Sequence, residues 1–169
     1  KLLRQAESLS SGEPDAKLAY ALLLVRAIQL GDAQRQFEEL KVQYPNLILA
    51  HQGSAYIQFR QGRHLSGLVA LAEMIPLIPE PKPGQEPKQS DLDVLTWVGK
   101  LREFGATQTE GRDVPGLAQL DAAVKKRSPA MQKAYEAGRA AVRTQYEKYS
   151  SDIASSTDGL EESRLSMGQ

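Results

Sequence analysis

Residues 14–45 read PDAKLAYALLLVRAIQLGDAQRQFEELKVQYP, and residues 46–79 read NLILAHQGSAYIQFRQGRHLSGLVALAEMIPLIP. Prolines close these units at Pro14, Pro45 and Pro79, at nearly equal intervals. Proline lacks the amide donor and its ring clashes with the preceding helical turn, so it punctuates helices. Gly31 and Gly62 interrupt the middle of each unit at a matching interval. Apolar residues recur at helical spacing between these marks. In 16–30 they are Leu18, Ala21, Leu22, Val25 and Ile28, and the run Leu22-Leu23-Leu24 predicts a helix packed on more than one face. Asp32 is placed to cap a helix over 33–44 with Phe37, Leu40 and Tyr44 inside. The cycle repeats over 47–61 (Ile48, Ala55, Phe59) and 64–75 (Leu65, Leu68, Leu71, Ala72, Ile75). A helix–turn–helix unit recurring at such a period is the pattern of a helical repeat. The predicted fold is all-α.

Working outward, Leu2, Leu3, Ala6 and Leu9 share one helical face before Gly12. On the other side, five prolines between Pro76 and Pro87 predict an extended, semi-rigid linker, centred on 80–89. Ser90, followed by Asp91 and Asp93, reads as a helix start, with acids near the positive end of the dipole. Leu92, Leu95, Val98 and Leu101 form its stripe, with Trp97 and Phe104 beside it, and Gly105 is expected to stop it. A short helix over 115–126 follows, with Leu117, Leu120 and Val124 inside. Ser128-Pro129 then opens a long helix expected to reach about 153. Its stripe (Met131, Ala134, Tyr135, Gly138, Ala141, Val142) is rich in small residues, so a neighbouring helix can approach closely. Residues 154–169 are small, polar and acidic, and are expected to be disordered, or helical only where they meet a neighbour. The predicted organisation is therefore 1–79 repeats, 80–89 linker, 90–153 helical cap or hairpin, and a polar tail.

Composition agrees with helices. Val and Ile together number only fourteen, while Ala, Leu, Gln, Lys, Arg and Glu dominate. The 21 basic and 21 acidic side chains cancel, so the whole chain lacks the basic excess of most nucleic-acid binders. There is no cysteine, which excludes a disulfide framework and a thiolate zinc site. The longest apolar run, 18–25, is far short of the roughly 20 residues that span a bilayer. The chain opens on Lys1 and not Met, which reads as a piece of a longer protein. Localisation stays open, with cytoplasmic favoured.

The two units resemble tetratricopeptide repeats. The resemblance rests on Ala33 and Phe37 in the second helix, the Tyr44-Pro45-Asn46 ending, Ala55-Tyr56, and Gln61-Gly62-Arg63. Residues 1–13 resemble the truncated second helix of a preceding repeat. The sequence departs from the family at Gly67, where Ala is usual, and in the first helix, which lacks the usual Trp and Gly. The resemblance implies an α-α superhelix followed here by a helical region with a long last helix. It also implies a protein-binding role, with first helices lining a concave groove. The Lys and Asn set that some members use to grip a peptide carboxylate is not found.

Chemistry-bearing constellations are few. His51 and His64 fit no metal-binding spacing and read as surface or capping residues, and no Gly-rich phosphate loop follows a strand. No catalytic residue, metal or cofactor is expected. Gln52, Tyr56 and Arg60 are spaced by four and so share a helix face, with Arg63 at the following turn and Arg26 as the counterpart in the first unit. Tyr and Arg are enriched among interface anchors, which makes these five the candidate partner-binding residues. A second candidate set is basic: Lys125, Lys126, Arg127, Arg139 and Arg143, interspersed with Tyr135 and Tyr146. Such residues suit an RNA backbone or an anionic membrane surface. The expected partner is another protein or a peptide. The alternatives are a nucleic-acid or membrane adaptor through the basic helix, and a helical accessory domain of a larger enzyme or assembly. A homodimer through the last helix is a further option.

Overall fold

The computed structural model describes residues 14–109 and 112–167. The segment around Leu2 to Leu9 lies outside the described residues. Among the described residues there are seven α-helices and no strand. They are α1 (Pro14–Arg26), α2 (Leu30–Gln43), α3 (Ile48–Arg60), α4 (His64–Met74), α5 (Gln89–Gln108), α6 (Pro115–Lys125) and α7 (Pro129–Met167), with a 3-10 turn at Ile75–Leu77.

The first four helices form two pairs in a constant register. The starts Pro14 and Ile48, the starts Leu30 and His64, and the ends Arg26 and Arg60 are all separated by the same length of chain. The turns inside the pairs are also equivalent. After α3, the Gly62 amide donates to Phe59 O (3.1 Å) and the Arg63 amide to Gln58 O (2.8 Å). After α1, the Ile28 amide donates to Val25 O (3.0 Å) and the Gln29 amide to Leu24 O (2.9 Å). Both are Schellman closures, which need a left-handed residue just past the helix. Gly62 supplies it at φ 77, and Ile28 supplies it at φ 60.

Ile28 therefore corrects the predicted first turn. Gly31 does not break the chain; it lies in the first turn of α2, and α1 ends at Arg26, short of the expected Leu30. Asp32 does not cap α2. It pairs instead with Arg35 at 2.6 Å, within the first turn and a half of the helix. The inner face of α1 shifts accordingly to Leu18, Ala21 and Leu24, while Leu22 is 54% and Ile28 74% exposed. Leu65, expected inside, is likewise exposed.

Two buried clusters hold the helices. One joins Leu18, Ala21 and Leu24 of α1 to Ala33, Phe37 and Leu40 of α2 and to Ala50 and Ile57 of α3. The other runs from Ala55 and Phe59 of α3 through Leu68, Leu71 and Met74 of α4 to Leu95 and Val98 of α5, Leu120 of α6, and Met131 and Tyr135 of α7. Residues after the linker thus share a core with the second helix pair. Gly67 stands in α4 where Ala33 stands in α2, and it leaves room for Phe59: a Cβ there would fall 2.7 Å from its ring.

The linker is not extended throughout: it reverses in a turn at 82–85, where Gly84 takes φ 83 and the Gln85 amide donates to Lys82 O at 2.9 Å, and its proline-rich flanks are held to the body. Ile78 is buried, the Arg127 guanidinium donates to Ile78 O, and Arg127 Nε lies 2.9 Å from Glu80.

α5 begins at Gln89 and runs through Gly105 to Gln108. Gly105 is not a stop. It is buried, and a Cβ there would meet Leu68 at 2.9 Å, so it serves packing. The close approach expected of the last helix is made with α5. A Cβ on Gly138 would fall 1.9 Å from Thr96 O, and one on Gly99 would fall 2.1 Å from Tyr135 O. The helices cross with a glycine on each side. α7 continues to Met167, past the expected end near 153 and through the segment predicted to be disordered. Residues 154–167 hold no proline and only one glycine, so nothing local stops a helix already nucleated upstream.

Candidate functional site

A groove of about 250 Å³ opens between α1, α3 and α5. Leu18 and Leu22 of α1 form one wall, and Leu49, Gln52, Gly53 and Tyr56 of α3 form the other. Phe37 of α2 is its floor and Trp97 of α5 closes one side. The local reasons are simple. Leu18 and Leu22 are one turn apart on α1, and the register of the two pairs sets Gln52 and Tyr56 at the same positions of α3. Gly53 admits the Phe37 ring, which a Cβ would approach to 2.4 Å. Phe37 is 1% exposed, whereas Leu22 (54%) and Leu49 (58%) present apolar surface to solvent.

One end of the groove carries charge. Arg60 Nη1 donates to the Tyr56 hydroxyl at 2.8 Å, and its guanidinium lies 5.7 Å from the Tyr56 ring centroid. Arg60 is therefore held at the rim while remaining exposed. Arg26 ends α1 as Arg60 ends α3, one turn beyond Leu22 as Arg60 is one turn beyond Tyr56. Of the predicted set, Gln52, Tyr56 and Arg60 come together. Arg26 holds the equivalent end of α1. Arg63 lies in the turn after α3 and donates to Gln61. The sequence reading missed Leu18, Leu22, Leu49, Phe37 and Trp97 as groove residues. The run of three leucines was the available sign, since a helix surface cannot bury three consecutive residues against one neighbour. Trp97 had no such sign.

The basic set is divided. Arg127 is committed to the linker, as described. Arg139 Nε donates to Glu103 at 2.6 Å and Nη1 to Glu136 at 2.9 Å, with the guanidinium 5.8 Å from the Tyr135 ring centroid. Arg143 lies 3.9 Å from Glu136 and is half exposed. Lys125 and Lys126 are exposed.

Arg139 belongs to a polar network joining α5, α6 and α7. Arg102 grips Asp121 with two bonds, Nε to Oδ1 at 3.1 Å and Nη2 to Oδ2 at 2.8 Å. The Tyr135 hydroxyl donates to Asp121 Oδ1 at 2.6 Å, and Arg102 Nη1 donates to the buried Glu103 at 3.1 Å. Burial alone would raise the Asp121 carboxyl, but the bonds from Arg102 and Tyr135 outweigh it and hold it below the ordinary range. Burial, with the Asp121 carboxylate beside it, pushes the Tyr135 phenol well above its ordinary value. Burial would lower both guanidinium values, yet Arg102 and Arg139 end up raised through their bonds to Asp121 and Glu103. A cavity of about 260 Å³ beside this network is lined by Asp121, Lys125, Gln132, Tyr135, Glu136 and Arg139 among others.

The histidines differ in setting. His51 Nε2 is 2.8 Å from Pro45 O, just ahead of α3. His64 is half-buried between aromatic rings, 5.9 Å from Phe59 and 5.4 Å from Phe104 by centroids. Among the described residues no cluster of three His, Cys, Asp or Glu could hold a metal, and no helix is long and apolar enough to cross a membrane. No family model, curated protein or solved structure matches the chain.

Proposed function

We propose that the chain is a non-catalytic protein-binding module, a tetratricopeptide-like scaffold that takes a segment of a partner protein in the groove between α1 and α3. The observation that carries this reading is exposed apolar surface arranged as a concavity: Leu22 and Leu49 beside Tyr56 and Trp97. Apolar surface gathered in a groove marks an interaction site in a way that scattered exposed leucines do not. At about 250 Å³ the groove falls below the ~300–1,000 Å³ typical of small-molecule and cofactor sites. It suits large side chains of a peptide. The constant register of the two helix pairs supports the repeat assignment, because it puts equivalent residues of successive first helices on the facing walls.

The test is selection from a displayed library of random peptides. Enriched peptides are expected to lose binding to a Leu22→Asp/Leu49→Asp variant and to a Tyr56→Ala/Arg60→Ala variant, both still helical by circular dichroism. Enriched peptides indifferent to both variants, or no enrichment at all, would overturn the assignment.

A further inference from the structure

We infer that the partner segment is acidic as well as apolar: a bulky apolar anchor with Asp or Glu next to it, directed at the ends of α1 and α3. This rests on the groove reading above and adds the charge of the ligand. Two stripes run along the groove walls, Leu18–Leu22–Arg26 on α1 and Gln52–Tyr56–Arg60 on α3. Each consists of residues one turn apart, and each ends on an arginine at the same end of the groove. The two cations are thus placed by one register on adjoining helices. α3 contains no acidic residue, and the single acid of α1, Asp15, is at the opposite end of that helix. On α5, Asp93 precedes Trp97 by one turn and accepts from Gln89, while Lys100 follows Trp97. Glu103, further along α5, is taken by Arg102 and Arg139. Asp32, in the first turn of α2, is taken by Arg35 at 2.6 Å, and among the described residues no ion pair joins a carboxylate to Arg26 or Arg60.

Each arginine lies in the last turn of its helix, where a cation also offsets the macrodipole. Arg60 goes further: Tyr56, a groove residue, holds its guanidinium through a hydrogen bond and the ring face. A ligand that fills the groove beside Tyr56 meets that charge at its edge. Guanidinium groups engage carboxylates through paired hydrogen bonds, so acidic side chains complement this rim and basic ones are repelled.

The experiment uses the full chain and three end-blocked synthetic peptides. One has an adjacent Leu and Phe flanked on both sides by Asp and Glu. The second has Lys in the flanks, and the third has Ala in place of the Leu and Phe. Trp97, the sole tryptophan, reports binding by fluorescence. The acid-flanked peptide should bind about 3- to 10-fold more tightly than the Lys-flanked one at low salt, with the difference shrinking as salt rises. An Arg26→Gln/Arg60→Gln variant should erase that difference and still bind the apolar anchor. The Ala peptide should not bind. Equal affinity for acidic and basic flanks overturns this inference and leaves the groove reading standing. No binding of any peptide overturns both. Self-association abolished by Leu49→Asp, without peptide binding, assigns the groove to a second copy and overturns the inference as well.

Discussion

Two side chains show how far single residues depart from what their type suggests. Ile28 occupies a left-handed turn position that Gly62 fills in the next helix pair. For an L residue this conformation costs about 1–2 kcal/mol, and glycine returns part of that as chain entropy. Ile28 is 74% exposed, so replacing it forfeits little buried surface. Ile28→Gly is therefore expected to raise the unfolding free energy by about 0.5–1 kcal/mol, whereas Gly62→Val should lower it by about 1–2 kcal/mol. Urea titrations of the three proteins check both signs. Asp121 makes the second case. Its folded carboxyl titrates below its unfolded value, so its contribution is present above the unfolded value near about 3.9 and is lost as pH falls through the lower folded one. Asp121→Asn should be less stable than the wild type at neutral pH. It should also lose less stability between pH 7 and pH 3, read from urea midpoints at the two pH values. An equal loss in both proteins would show that Asp121 is not the linked group.

At the scale of elements, the contact of α5 with α7 depends on two glycines where a carbonyl of one helix comes within 2.1 Å of the ideal Cβ position on the other. The obstructing atoms are backbone, so no rotamer change relieves them. Gly138→Val is expected to cost about 3 kcal/mol or more, at or beyond the upper end of ordinary overpacking. Gly138→Ala should already be clearly destabilising, which thermal unfolding would register. The small-residue stripe on α7 was legible in the sequence, because Ala and Gly at helical spacing have one evident use. Its partner was not, since α5 lies beyond a loop and a further helix. The same limit applies to Gly105, which local rules read as a stop and packing against Leu68 keeps inside α5.

For the whole molecule, the second helix pair shares its core with α5, α6 and α7. A fragment of residues 14–79 would leave Phe59, Leu68, Leu71, Ile75 and Ile78 without their partners across that core. Under the proposed repeat reading, two helix pairs are also fewer than the roughly three repeats a stack needs. The isolated fragment is thus expected to show weak helicity and no cooperative urea transition, while the full chain unfolds cooperatively. A sigmoidal transition from the fragment would contradict the shared core. The charged network of Arg102, Asp121, Tyr135, Glu103 and Arg139 adds a directional lock among α5, α6 and α7.

The all-helical class, the helix boundaries at Pro45, Gly62, Pro115 and Pro129, and the shared face of Gln52, Tyr56 and Arg60 were determined by the sequence alone. Each depends on interactions within one turn: a missing amide donor, a left-handed turn, or a spacing of four. Tertiary structure decided the rest. It exposed Leu22 and Leu49, brought Trp97 across from α5, and drew Arg127 and Arg139 into internal pairs. It also seated Ile28 where local preference asks for glycine. Those outcomes depend on which helices meet, and periodicity says which face of a helix is apolar without naming what covers it.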